Sequence, residues 1–415
     1  ILNVGTGKKQ KITCSEGECI RPLGFIRSDF VYGIAKTEDI GNTVSGEATV
    51  PMYKLEIRNQ KGKVIKTYQT DGIYILNAAF DEDMITLERA SKDGDTYTAT
   101  APDYITNNEQ KTKSNITLEL EAGATLLFSD NFDDYLPFVE VRHEGVMMKS
   151  FQPLIYAVDA ENITIKGEGT LDGQGKKWWM EFFRVMIDLK DNGMRDVNKY
   201  QSMWDAANDT TAIYAETNKD YVNTLQRRFF RPPFIQPVRC KKVKIEGVKI
   251  INSPFWTVNP EFCDNVTIKG ITIDNAPSPN TDGVNPESCR NVHISDCHIS
   301  VGDDCITIKS GRDAQARRLG VPCENITITN CTMLSGHGGV VIGSEMSGSV
   351  RKVTISNCVF DGTDRGIRIK STRGRGGVVE DIRVSNVVMS NIKQEAVVLN
   401  LKYSKMPAEP KSERT

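Results

Sequence analysis

One short phrase, a polar residue followed by an apolar–polar–apolar triplet, recurs from residue 115 onwards. It is spelled NITL (115–118), NITI (162–165), KVKI (242–245), NVTI (265–268), NVHI (291–294), NITI (325–328), KVTI (352–355) and DIRV (381–384). The first apolar residues of the last six phrases are 23, 26, 34, 27 and 29 residues apart: Val243, Val266, Val292, Ile326, Val353 and Ile382. Alternation with period two is typical of a short strand with one buried face. Repeats of this length indicate a solenoid, because a propeller blade needs about 40 residues. The phrase therefore predicts an all-β fold, a right-handed parallel β-helix whose loops vary in length.

The cysteines follow the same repeat. Four of them stand three residues before a first apolar residue, and three more stand five residues after one: Cys240, Cys263, Cys289, Cys323, and then Cys297, Cys331, Cys358. Columns of one residue type are expected at equivalent positions of stacked coils, about 4.8 Å apart. Disulfides are geometrically possible between them, but we favour buried free thiols. Asn265, Asn291 and Asn325 form a third column, for which we expect a side-chain ladder at a turn.

Composition excludes several classes of protein. The chain has 415 residues, 39% of them hydrophobic, and a formal net charge of −2, so nothing draws the whole molecule to nucleic acid. No apolar run reaches the roughly 18 residues of a membrane span. Cys14 and Cys19 are close enough in sequence for a local disulfide, and no C-x2-C pair has the histidines of a zinc site. Because the chain begins at Ile1 rather than Met, we expect a fragment or a processed form.

Counting along the coils predicts which carboxylates meet. Asp303 comes eleven residues after Val292, and His337 comes eleven residues after Ile326, so the two should occupy one position on successive coils. Asp282 lies on the coil before Asp303. A cluster of carboxylates beside a histidine indicates a catalytic site. Packed carboxylates keep one member protonated, so they can serve as acid and base in glycoside hydrolysis.

Two cations belong to the same predicted surface. Arg368 and Lys370 are two residues apart in RIK (368–370), so a strand would point both to one face. The flanking Arg365, Arg373 and Arg375 would extend this face into a basic strip suited to a polyanionic chain. Taken singly, each of these motifs is explained by a turn, a loop or a solvated strand. Their combination at compatible coil positions is what indicates a site.

Four segments in this order resemble the signature segments of the polygalacturonases, glycoside hydrolase family 28. They are NTDG (280–283), GDDC (302–305), GHG (336–338) and RIK (368–370). The stretches SNITLELEAGATL (114–126), GEGTLDGQGKKWW (167–179) and RPPFIQPVRC (231–240) are also similar to bacterial members. The resemblance covers about residues 113–415. It implies a right-handed β-helix and inverting hydrolysis of α-1,4-galacturonan without a metal or other cofactor.

The resemblance also implies roles for individual residues. Asp303 would be the general acid, Asp282 and Asp304 would activate water, and His337 would tune the proton of the acid. The implied substrate-binding residues are Asn280, Arg368, Lys370 and Tyr403. An inverting pair of carboxyl groups is expected to stand about 6.5–9.5 Å apart.

An insertion of roughly residues 176–230 separates two of the phrases. It contains MEFFRVMIDLK (180–190), which predicts an amphipathic helix. A loop of this size could close one end of a cleft, so we favour exo over endo attack slightly. Trp178 and Trp179, just ahead of it, are candidates for sugar stacking or for packing in a core. The presence of both His337 and RIK favours galacturonan over rhamnogalacturonan.

Residues 1–112 do not match the family's pattern. The segments 53–68 and 73–100 each predict two antiparallel strands, the second pair around Asp93-Gly94, and 101–113 would be a junction. We therefore divide the chain into an antiparallel β-rich segment, 1–112, and a catalytic β-helix, 113–415, in which further coils would be expected after 407–415. The N-terminal segment is an appended domain, a divergent cap or an artificial join, and it should not bury a core alone.

Two other functions compete with the hydrolase. A calcium-dependent pectate lyase would bind Ca²⁺ with these aspartates, and a non-catalytic β-helix would only bind carbohydrate. In each case the expected partner is a pectic polysaccharide or oligogalacturonide, and neither nucleic acid nor a membrane span is expected. Because pectin lies outside cells, an extracellular or periplasmic location follows from the substrate.

Overall fold

The protein divides into two compact units, Ile1–Lys111 and Thr112–Thr415. The computed structural model describes residues 11–26, 29–59, 61–80, 84–106, 114–192, 199–217, 221, 225, 229–275 and 278–403. Each unit is built mainly from β-strands, with its own set of sheets.

The first unit contains two mainly antiparallel sheets. One has the strand order β1-β2-β5-β6 and the other β4-β3-β9-β8-β7. The strands are β1 Glu18–Ile26, β2 Asp29–Lys36, β3 Gly41–Thr43, β4 Ala48–Thr49, β5 Lys54–Arg58, β6 Val64–Tyr68, β7 Ile73–Phe80, β8 Met84–Asp93 and β9 Thr96–Thr106. A 3-10 turn, Thr37–Asp39, follows β2. The predicted pair β5–β6 and the hairpin at Asp93-Gly94 are confirmed.

Three expectations for this unit are corrected. The interval 73–100 holds three strands rather than two, and β9 continues into the expected junction, of which residues 107–113 lie outside the described residues. Cys14 and Cys19, for which the sequence left a local disulfide open, are both free thiols. The unit also buries a core of its own, because apolar residues of both sheets pack together: Ile26, Val31, Ala35, Met52, Leu55, Ile57, Ile75, Ile85, Leu87 and Ile105.

The second unit is a right-handed parallel β-helix. Each coil contributes a strand to the first row of its largest sheet: β10 Ser114–Leu120, β15 Glu161–Gly167, β18 Lys241–Glu246, β20 Asp264–Lys269, β22 Arg290–Ser295, β25 Cys323–Thr329, β28 Val350–Asp361 and β30 Val379–Ser390. Short strands form a second row: β11 Thr125–Leu127, β16 Thr170–Asp172, β19 Lys249–Ile251, β21 Thr272–Asp274, β23 His298–Ser300 and β26 Thr332–Ser335. A third row contains β14 Ile155–Val158, β17 Ile235–Val238, β24 Asp304–Ile308, β27 Gly338–Ile342, β29 Ile367–Lys370 and β31 Val397–Asn400.

The register predicted from the repeated phrase is confirmed. The first apolar residue of each phrase pairs with that of the next coil, through Ile116, Ile163, Val243, Val266, Val292, Ile326, Val353 and Ile382. From Ile163 to Val353 these side chains are buried and, with the buried residues of the other rows, form one continuous core. Ile382 is partly buried against this core, and Ile116 is 40% exposed. Each coil by itself leaves its strand edges unpaired, and stacking satisfies them.

The two cysteine columns lie in this core as free thiols, as predicted. Desolvation on burial raises the pKa of Cys323 to about 12, so this thiol stays protonated and behaves as a small apolar group. The asparagine column adopts left-handed backbone, for example at Asn265, Asn291 and Asn325, a conformation that Asn tolerates better than most residues. Asn325 donates to Asn291 at 3.2 Å, but Asn291 donates to Asp264 rather than to Asn265.

The insertion contributes helices on the outside of the coils. They are α1 Lys176–Asn192, α2 Lys199–Ala207 and α3 Thr210–Ala215, while α4 Asp313–Leu319 follows β24. The helix predicted at 180–190 is confirmed and begins earlier. It buries Trp178, Phe182 and Val185, spaced by four and three residues, on one face. A hairpin, β12 Val139–His143 with β13 Val146–Ser150, and a 3-10 turn, Phe132–Tyr135, complete the unit. Within the part of the chain that the structure describes, no helix is long and apolar enough to cross a membrane.

Candidate active site

The predicted site residues meet at the start of the third row of strands. Asp303 directly precedes β24, which begins at Asp304, and His337 directly precedes β27. His337 N–H donates to the carbonyl of Asp303 at 2.8 Å, so these two occupy one position on adjacent coils, as counted from the sequence. Gly283 N–H donates to the carbonyl of Asp304 at 3.0 Å, which brings Asp282 alongside from the preceding coil.

The three carboxylates form a tight cluster. Oxygens of Asp282, Asp303 and Asp304 lie within 4.8 Å of one another. This is shorter than the spacing of about 6.5–9.5 Å that we expected for an inverting pair. Asp282 and Asp304 are buried, whereas 18% of the Asp303 side chain is exposed. Of the three, Asp303 is therefore the one that a substrate can contact directly.

Two buried lysines compensate the two buried aspartates. Lys370 Nζ lies 2.5 Å from Asp304 Oδ2. Lys309 Nζ lies 3.8 Å from Asp282 Oδ2 and 2.8 Å from Glu345 Oε2. The three aspartates are close enough to share one cation, but the lysines already supply positive charge at two of them, so these residues fit a metal poorly.

Sequence reasoning missed Lys309 and Glu345. Lys309 stands in GDDCITIKSG (302–311), directly after the buried strand β24. A charge at the end of an otherwise buried run was the available signal.

His337 and Asp303 form a coupled pair. Nδ1 of His337 is 3.1 Å from Oδ1 of Asp303, and this hydrogen bond raises the pKa of His337. Burial opposes ionisation of Asp303, but the His337 hydrogen bond and the charge of Lys370 outweigh it and lower the pKa of Asp303. Between the lowered pKa of Asp303 and the raised pKa of His337, the two residues thus share one proton.

The carboxyl group with a raised pKa is that of Asp282. Burial is the main cause, and the negative charge of Asp303 adds to it, so that the pKa of Asp282 lies well above its usual range. The clustering argument predicted that one member would be kept protonated. Among the three carboxyl groups, burial thus favours the protonated form at Asp282, whereas the proton nearest to Asp303 is the one in its hydrogen bond with His337.

The cations Arg368 and Lys370 face the same side of β29, as predicted. Their charged groups lie 5.4 Å and 5.0 Å from the centre of the Tyr403 ring. Arg368 has no carboxylate partner among the described residues, which leaves its guanidinium available to an anion. Tyr403 is 44% exposed. Arg368 and Tyr403 therefore form one accessible surface beside the carboxylates, whereas Lys370 is buried and paired with Asp304.

The predicted basic strip is only partly present. Arg365 is paired with Glu395 at 2.8 Å. Arg375 is buried, and its guanidinium is 3.1 Å from Asp313. Arg373 is exposed. The prediction is wrong for Arg375, because the loop after β29 turns that side chain inward to an ion-pair network.

Asn280 contacts both Arg231 and the carboxylate cluster. Its Nδ2 is 3.4 Å from Asp303 Oδ2, and its Oδ1 accepts from Arg231 at 2.7 Å. Trp178 is fully buried in an aromatic cluster, so a core role is correct for it. Trp179 is half-buried, donates from Nε1 to the carbonyl of Ser253 at 2.9 Å, and lines a groove of about 920 Å³ outside the cluster.

Comparison with known proteins gives a consistent result. Residues 218–413 match the family described as "Glycosyl hydrolases family 28". A probable polygalacturonase of Vitis vinifera is 31% identical over 78% of this chain and 59% of its own length. An endo-polygalacturonase of Pectobacterium carotovorum subsp. carotovorum is 34% identical over 60% of this chain and 53% of its own. The crystal structure of a hyperthermoactive exopolygalacturonase from Thermotoga maritima is similar with a TM-score of 0.58 and 38% identity, covering 70% of this chain and 66% of that one.

The chain carries a region of glycosyl hydrolase family 28, residues 218–413. It spans a little over half the length of the curated relatives that it matches. A family 28 exopolygalacturonase structure from Yersinia enterocolitica is 18% identical and resembles 95% of this chain with a TM-score of 0.55. This similarity is one of fold, and at that coverage it includes most of residues 1–111.

Proposed function

We propose that the protein hydrolyses α-1,4-galacturonosyl linkages of polygalacturonan. The observation that carries the proposal is the cluster of Asp282, Asp303 and Asp304, with His337 hydrogen-bonded to Asp303 and the cations Arg368 and Lys370 beside Tyr403. This arrangement offers a proton donor, buried carboxylates for water, and cations for a uronate. Relatives whose names include both endo- and exo-acting polygalacturonases support the substrate class.

Asp303 supplies the proton to the leaving oxygen. It is the partly exposed member of the cluster, and the proton that it shares with His337 lies within a hydrogen bond of 3.1 Å. As the glycosidic bond breaks, this proton passes to the leaving oxygen and the Asp303–His337 pair becomes deprotonated. The exposed imidazole can then be reprotonated from solvent.

Asp304 and Asp282 hold the attacking water, and Asp304 accepts the proton that this water loses. Both side chains are buried, so neither carboxylate attacks the sugar ring directly. Each acts on the sugar through a water molecule. Lys370 Nζ lies 2.5 Å from Asp304 Oδ2. Attack by that water on the face opposite to the leaving group inverts the anomeric centre, in spite of the short carboxyl spacing.

Arg368 and Lys370 hold the carboxylate of the sugar beyond the scissile bond. The guanidinium of Arg368 has the planar fork that matches a carboxylate, and Tyr403 lies against both cations. The partner is therefore a polyanionic pectic polysaccharide or an oligogalacturonide. Because such polymers lie outside cells, we propose an extracellular or periplasmic location.

Exo attack is favoured over endo attack by the position of α1. Phe182 of this helix lies 4.0 Å from the guanidinium of Arg231, which binds Asn280 next to Asp303. The helix thus stands beside the cluster on the side of the earlier coils, opposite to Arg368 on a later coil. A helix there restricts how far a substrate chain can extend past the cleaved sugar.

The test is hydrolysis of polygalacturonic acid in excess EDTA, with products resolved by size and their anomeric configuration followed by NMR. Galacturonic acid released from the start, with inverted configuration, is the expected result. A ladder of oligomers would reject exo attack, and a retained configuration would reject the water mechanism. Asp303→Asn should reduce kcat by about 10²-fold or more, whereas the exposed Asp274→Asn on a neighbouring coil serves as control. Folded wild-type protein that binds but releases no product would refute the hydrolase.

A further inference from the structure

Arg231 is a buried arginine that touches the catalytic segment without belonging to the carboxylate cluster. It opens the stretch RPPFIQPVRC and is 2% exposed. One of its terminal nitrogens donates to the carbonyls of Pro254 and Pro279 at 3.1 and 2.8 Å, and the other donates to Asn280 Oδ1 at 2.7 Å. Its planar group also stacks on Phe182 of α1. A single side chain thus joins the insertion to the coil that leads into Asp282.

The contact with Arg231 decides which way the Asn280 amide points. Guanidinium groups only donate hydrogen bonds, so the Asn280 atom that faces Arg231 must be the carbonyl oxygen. The amide nitrogen then faces the other way, 3.4 Å from Asp303 Oδ2. If the amide turned over, its oxygen would meet the carboxylate of Asp303 and repel it.

Asp303 is consequently held at both oxygens. Oδ1 is engaged by His337 Nδ1 at 3.1 Å and by the backbone N–H of Asp304 at 3.0 Å. Oδ2 receives the amide of Asn280. Small displacements of a reacting group reduce rates by about 10²-fold, so an anchor on the second oxygen bears directly on proton transfer.

We propose that Arg231 is a positioning residue, which fixes the Asn280 amide and through it the plane of the Asp303 carboxyl group. This inference rests on the proposed hydrolase function and adds a residue to it. It also gives the insertion a role in catalysis, because Phe182 of α1 supports the guanidinium that orients Asn280. Lysine cannot replace Arg231, since one ammonium group lacks the fork that reaches these three acceptors.

The test is a double-mutant cycle on polygalacturonic acid with Arg231→Lys and Asn280→Ala. Arg231→Lys should lower kcat roughly 10- to 100-fold with little change in KM, because the bond-breaking step rather than binding is disturbed. In the Asn280→Ala background, Arg231→Lys should lower kcat by less than about threefold, because the amide through which Arg231 acts is gone. Arg239→Lys is the matched control, an exposed arginine of the same stretch that is paired with Asp159 and Glu140.

Each outcome decides one question. An equal loss of kcat from Arg231→Lys in both backgrounds would overturn the inference and leave Arg231 as a purely structural clamp. A loss confined to KM would also overturn it. Inactive wild-type protein would refute the proposed hydrolase instead, so the two failures are distinguishable.

Discussion

Replacing Lys370 by methionine tests whether burial makes the Lys370–Asp304 ion pair a large contribution to the free energy of unfolding. Nζ and Oδ2 are 2.5 Å apart, and the two side chains are 5% and 1% exposed. At an effective dielectric constant of about 20, two charges at this distance attract by roughly 6–7 kcal/mol. Desolvation offsets part of that attraction. Removing one partner of a buried pair nevertheless costs about 3–5 kcal/mol, because the other charge is left uncompensated.

The chain contains a matched control for this change. Lys244 and Glu246 are also 2.5 Å apart, but their side chains are 46% and 36% exposed. Screening by water limits such a pair to less than about 1 kcal/mol, so Lys244→Met should lower the free energy of unfolding far less than Lys370→Met. Asp304→Asn in the Lys370→Met background should recover much of the loss, since the uncompensated charge is then absent.

Urea unfolding followed by tryptophan fluorescence measures these differences in the right part of the molecule. All four tryptophans, Trp178, Trp179, Trp204 and Trp256, lie in the β-helix unit, so the signal reports on that unit. If Lys370→Met costs no more than Lys244→Met, the reasoning from burial is refuted. A failure of Asp304→Asn to restore stability would show that the cost comes from lost packing instead.

Three further predictions follow from the same contacts. Because Asp303 raises the pKa of His337 above its ordinary 6.5, the shared proton is kept below that raised value and lost above it. The pH profile of kcat should therefore fall on the alkaline side, and His337→Asn should remove this limb and lower kcat about 10²-fold; an unchanged limb would contradict the pairing. Arg368→Lys should raise KM about tenfold for polygalacturonate with little effect on kcat, because the fork that matches a carboxylate is lost; an equal rise for a fully methyl-esterified substrate would argue against uronate binding. A thiol reagent should label about two of the ten cysteines in the native protein, Cys14 and Cys19, and all ten after denaturation, since the other eight are buried; rapid native labelling of more thiols would contradict the core positions.

The repeat made much of the site predictable. The intervals from Val292 to Asp303 and from Ile326 to His337 are equal, so counting was enough to place the two residues side by side. The same holds for Arg368 and Lys370, whose spacing in a strand puts them on one face. These inferences needed backbone geometry alone and no knowledge of how loops fold.

Counting along the coils did not predict the contacts made by residues on loops. Arg375 was expected on the surface and is buried against Asp313, because the segment after β29 folds back over the coils. Lys309 binds Glu345, and Arg231 binds Asn280, across 36 and 49 residues of chain. The N-terminal strands were recognised individually, but the packing of two sheets into one core was not.

The amino-acid sequence alone determined the coil, its register and the identity of the clustered carboxylates. The reason is that a buried strand face must be apolar at every second position and stacked coils must repeat it, so the constraint is local and is written in the spacing of residues. The tertiary structure alone decided where protons and counter-charges reside. Burial of Asp282 raises its pKa, His337 lowers that of Asp303, and Lys370 compensates Asp304. Protonation depends on solvent exposure and on charges brought from distant loops, and neither quantity is set by the spacing of residues along the chain.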